Sequence, residues 1–73
     1  MDTLTFHGRV RPADIAFLDA NLELYEGVAI VRTTDRKAGL VEFWVSPVSV
    51  NDFLRIIEDL STEIDIILEN NDD

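Results

Sequence analysis

Hydrophobic and polar positions alternate from Thr3 to Val10. Leu4 and Phe6 point one way, and Thr3, Thr5, His7 and Arg9 the other. That period of two predicts a first strand. Gly8 interrupts its apolar face, which suggests a bulge or a close backbone approach. The period then changes. Pro12 suits the first turn of a helix, where its missing N–H costs nothing, and Asp14 complements the helix dipole. Ile15, Leu18, Leu22 and Tyr25 make one helical stripe. Phe17, Ala20 and Leu24 make a second, on roughly the opposite side at ~100° per residue. One stripe faces a sheet. The other is expected to pack on the second helix within the chain, or else on another subunit.

Gly27 is expected to end that helix in a left-handed conformation. Alternation returns from Val28 to Thr34 and again from Leu40 to Ser46, joined by the turn Asp35-Arg36-Lys37-Ala38-Gly39. Ala29, Val31 and Thr33 share a face with Val41, Phe43 and Val45. The other face receives Val28, Ile30, Arg32, Leu40, Glu42 and Trp44. Pro47 ends the third strand. Ser49 with Asp52 three residues on is a variant capping box opening a second helix. Its stripe is Val50, Phe53, Leu54, Ile57 and Leu60, with Asn51, Asp52, Arg55, Glu58 and Asp59 facing water. Over residues 62–69 the pattern admits a continued helix through Ile64, Ile67 and Leu68, or a fourth strand. The β-branched run IDIIL and the poor helix interior Ser61-Thr62 favour the strand.

The order β-α-β-β-α-β predicts an α+β, ferredoxin-like two-layer sandwich: a four-stranded antiparallel sheet with both helices on one face. Residues 1–69 are expected to form one domain, and Asn70 to Asp73 an acidic fray. The uncovered face is then expected to carry Thr5, His7, Arg9, Val28, Ile30, Arg32, Glu42, Trp44 and Ile67.

Composition narrows the function. A chain of 73 residues buries little surface, so each core side chain matters. No cysteine is present, which excludes disulfides and thiolate metal sites. No apolar run approaches the ~20 residues that span a bilayer, and MDTLTFHGRV does not read as a signal peptide. A cytoplasmic protein is expected. The net charge of −9 opposes nucleic acid and anionic membranes. It is unevenly spread: five of the six basic residues lie in the first 37 positions, and the last 25 carry eight acids and only Arg55.

Beside these readings, Glu23, Tyr25, Glu26, Gly27, Ala29, Thr33, Asp35 and Gly39 follow a pattern E-x-Y-E-G-x-A, then T-x-D and a hairpin glycine. In this the chain resembles a short, single-domain bacterial family of unknown function. The resemblance implies a ferredoxin-like or ACT-like fold, makes Tyr25, Glu26, Gly27 and Asp35 a family-motif site, and implies no reaction. The architecture is also similar to ACT regulatory domains, which pair as dimers and bind amino acids near the first strand–helix loop. That loop here, Arg11-Pro12-Ala13-Asp14, lacks the glycine that often follows the proline.

Candidate chemistry is sparse. His7 is the one histidine; a catalytic role would need a nucleophile or carboxylate nearby and a pocket for substrate, and a half-exposed strand residue is the simpler reading. No loop has the spaced carboxylates of a calcium site, so neither metal nor cofactor is expected. The tip Thr33–Lys37 reads as turn chemistry before it reads as an anion site. Tyr25 and Gly27 read first as the close of an apolar stripe and a helix terminator.

Trp44 is the informative residue. It is expected near Ile30, Val28 and Ile67, rimmed by His7, Arg9 and Arg32 with Glu42 opposing them. An apolar face centred on tryptophan predicts a homo-oligomeric, non-enzymatic interaction or regulatory module, a dimer first of all, with room for a small ligand at the interface. Glu42 would then pair with Arg9 or Arg32. The alternative is a single-stranded RNA binder that stacks bases on Trp44 and uses Arg9 and Arg32 for phosphates. A small enzyme is the least favoured reading.

Overall fold

The computed structural model describes residues 3–25 and 27–69. Four strands and two helices follow in the order β1 (Leu4–Val10), α1 (Ile15–Glu23), β2 (Ala29–Asp35), β3 (Leu40–Val45), α2 (Val50–Leu60) and β4 (Ile66–Glu69). The strands form one antiparallel sheet in the order β2-β3-β1-β4, the ferredoxin-like arrangement the pattern predicts. The expected acidic fray lies outside the described residues.

The alternation of β3 decides where the core sits. Val41, Phe43 and Val45 are fully buried, while Leu40, Glu42 and Trp44 between them are only partly covered. Both helices therefore lie on the first set. Ile15, Leu18 and Leu22 of α1 and Phe53, Ile57 and Leu60 of α2 pack there. At the centre the Phe53 ring lies 5.1 Å from both Phe6 and Phe43, tilted against each. Each large side chain so buried contributes about 1.5–3 kcal/mol, which a sheet this small needs on at least one face.

Two glycines are set by space or by φ. Gly8 faces the Phe43 ring at a point where an added Cβ would lie 2.9 Å from the ring edge. The register of β1 runs through it without a break, so close approach is the reason for the glycine and no bulge forms. Gly39 has φ +74, and its carbonyl accepts the Val10 N–H at 2.9 Å; a side chain there would overlap the Val10 carbonyl.

Several local expectations need correction. Pro12–Asp14 is a separate 3-10 turn ahead of α1. The helix ends at Glu23, so Gly27 does not terminate it. Gly27, at φ +85, is the third residue of a turn closed by the Val28 N–H on the Tyr25 carbonyl. Tyr25, beyond the helix, is 42% exposed and does not close the buried stripe. Ser49 precedes α2 but its hydroxyl makes no capping bond; the chain enters through a 3-10 turn, Pro47–Ser49, instead.

The second stripe of α1 is not covered by α2: Ala20 is exposed, and Leu24 is 77% exposed. The two helices share one layer, so α2 stands beside α1, whereas that stripe points away from the sheet. On α2, Leu54 is exposed and Ile56 packs against the core. Leu54 lies about 100° around the helix from Phe53, and Ile56 only about 60°. The residues after α2 do form a strand, but it starts at Ile66; Ile64 still reaches the core from the preceding turn.

Candidate interaction surface

The strand register arranges the helix-free face into three rows. Ile30, Trp44 and Thr5 are opposite one another on β2, β3 and β1. In the next row Arg32, Glu42, His7 and Glu69 run across all four strands. Arg9 then sits between Leu40 and Ile67. The middle row alternates base and acid, so the face is an apolar corner, a charged band and a mixed corner.

Trp44 is held by its own chain. Its Nε1–H donates to Glu42 Oε1 at 3.1 Å. The Arg32 guanidinium stands 5.9 Å from the ring centroid, within cation–π range. Glu42 thus accepts the indole N–H hydrogen bond, and Arg32 stands over the ring. Beside the ring lies a recess of about 290 Å³ bounded by Thr3, Val28, Ile30 and Ser46. Ile30, at 63% exposure, is its outer wall. Val28 precedes β2 and touches the core as well as this recess, so it belongs only partly to the open face.

Other expected members of the Trp44 cluster lie elsewhere. Ile67, 59% exposed, pairs across from Arg9. That is four residues along β1 from Thr5, about 16 Å from Trp44 by strand spacing and rise. Arg9 is tied to Glu69 at 3.8 Å and does not rim the indole. His7 is exposed between Glu42 and Glu69 in register, one row from Trp44. Pairwise placement depends on which residues the strands set opposite, and alternation within one strand is silent on that.

The motif residues build turns. Asp35 Oδ1 accepts the Ala38 N–H at 3.1 Å; beside it Thr34, outside the motif, donates from Oγ1 to the Leu40 carbonyl at 3.2 Å. Glu26, also a motif-site residue, lies outside the described residues. Arg11, in the first strand–helix loop, pairs with Asp65 at 3.1 Å. Among the described residues no cluster of three or more His, Asp or Glu side chains is placed to hold a metal ion.

One feature escapes sequence reasoning. Asp19, Leu22 and Glu23 of α1 stand over the outer edge of β2 and enclose a groove of about 580 Å³ with Gly27, Ala29, Ile30 and Val31. The signal was present only as the period of α1, which puts Asp19, Leu22 and Glu23 on neighbouring turns.

Residues 9–64 match the family Domain of unknown function (DUF4911). The chain belongs to this family. The match takes in β1 from Arg9, both helices, β2 and β3, and so contains Trp44, Arg32 and the groove beside α1. No curated protein and no solved structure matches. No helix among the described residues of this DUF4911 domain is long and apolar enough to cross a membrane.

Proposed function

We propose that this domain is a non-enzymatic interaction module that self-associates through the helix-free face of its sheet. The observation that carries the reading is Ile30, an isoleucine 63% exposed beside a tryptophan on a face that no helix covers. Large apolar side chains grouped in this way are the usual core of a protein contact. The charged band supports a two-fold pairing. Arg32 lies at one end of the row and Glu42 and Glu69 further along it, and a second copy turned over upon the first sets its Arg32 towards those acids. A small ligand at such an interface would seat in the recess between Val28, Ile30 and Trp44.

Single-stranded RNA is the weaker reading. Stacking on Trp44 would displace Arg32, Arg9 is engaged by Glu69, and Glu42 and Glu69 repel phosphate at the same face.

Sedimentation velocity across a concentration series tests the proposal. Wild type is expected to dimerise, and Ile30→Asp to stay monomeric with an unchanged circular dichroism spectrum, since Ile30 is outside the core. A wild type that remains monomeric at the highest concentration reached overturns it.

A further inference from the structure

The two edges of the sheet differ. β4 is four residues long, and ion pairs flank it: Arg9 with Glu69, and Arg11 with Asp65. β2 is seven residues long, pairs among the described residues only with β3, and carries no proline, charge or bulge over Ala29–Val31. Its one irregularity is at the far end, between Thr33 and Asp35. Natural edges are blunted by short length, charge, proline or a bulge; the first half of β2 has none of these.

A recess lies on each side of this edge. On the helix side is the groove of about 580 Å³ with Asp19, Leu22 and Glu23. On the helix-free side is the recess of about 290 Å³ with Trp44 and Val28. Gly27, Ala29 and Ile30 line both. A strand added about 4.8 Å outside β2 would send successive side chains alternately into the two recesses. The helix side is acidic, and among the described residues neither Asp19 nor Glu23 joins an ion pair. Leu22 offers an apolar floor for the stem of a lysine or arginine. The helix-free side presents Ile30 and Trp44 to an apolar side chain.

From this we infer that the β2 edge accepts an extended segment of another protein, in which basic and apolar residues alternate, as a fifth strand. Charge favours this occupant over a second copy of the chain, which would bring its own −9 and its own Asp19 and Glu23 to the groove. The inference uses the strand's outer edge and does not require the sheet face to self-associate.

The probe is a fluorescein-labelled peptide of alternating lysine and valine, about ten residues long. A control peptide has the same composition in two blocks. Fluorescence anisotropy at low protein concentration should show the alternating peptide binding at least about tenfold more tightly than the block peptide. The double variant Asp19→Lys/Glu23→Lys, and more weakly Glu23→Lys alone, should reduce that binding by about tenfold or more. Both should leave the sedimentation behaviour as in wild type, which separates failure of this site from failure of the sheet-face contact. Amide exchange should slow in β2 on peptide addition and stay unchanged in β4. Equal binding of the two peptides, binding unaffected by the double variant, protection mapped away from β2, or no binding at about 100 μM each overturns the inference.

Discussion

Strand β3 has two sides, and they solve the same problem in different ways. On one side Val41, Phe43 and Val45 are covered by α1 and α2 and need nothing further. On the other, Trp44 has no helix above it and is half-covered by polar neighbours, with Glu42 holding the indole N–H and Arg32 lying over the ring. Packing stabilises the first side, whereas clamping keeps the second side ordered yet available. A sheet only two layers deep always has such a second side, and the residues placed there show whether it meets water or a partner.

The difference can be broken from the packed side with the largest effect. Phe43→Ala removes a fully buried ring packed at a tilt against Phe53 and leaves a cavity, at a cost of about 3–5 kcal/mol. In a domain of 73 residues this consumes most of the stability, so urea denaturation should show a largely unfolded protein. From the other side, Trp44→Ala removes a side chain only partly buried. Measured on dilute monomer, it should cost about 1–2 kcal/mol, near the lower bound for burying a large apolar group, while sharply weakening self-association at higher concentration. A cost equal to that of Phe43→Ala would mean that the two sides are not distinct.

The smallest effect sharpens the contrast. The Arg9–Glu69 pair is 3.8 Å apart with both side chains about half exposed. Glu69→Ala should shift the urea midpoint by no more than about 0.5 kcal/mol equivalent, and by less in high salt. A larger loss would show that the charged band stabilises the sheet beyond decorating it.

Much of the fold was legible because its signals are local. The period of two in residues 3–10, 28–34 and 40–46, and the glycine at the hairpin, each act within a few residues. The fourth strand was legible from its β-branched run. Sequence and structure part where two elements meet. The outer stripe of α1 carries Phe17 and Leu24 and looks like a packing surface, but its angle to the sheet leaves it in solvent. Ile67 looks like a neighbour of Trp44 because both face the same way; the pairing of β1 with β4 puts them at opposite ends of the sheet. Alternation likewise sets Arg9 on the face of the indole, but it pairs with Glu69. The groove along β2 was invisible, since it needs a helix terminus and a strand edge that come together only on folding.

By itself the sequence determined which residues alternate, which turn and which must be glycine, because backbone preference and burial period are properties of neighbours in the chain. It also determined that Trp44 stands on the face away from Phe43, since adjacent residues of a strand cannot share a side. Only the tertiary structure decided what stands beside Trp44, which edge of the sheet is open, and which acids look onto it. Those depend on register and on the angle of helix to sheet, which are set by the packing of the whole core around Phe53 and Phe43.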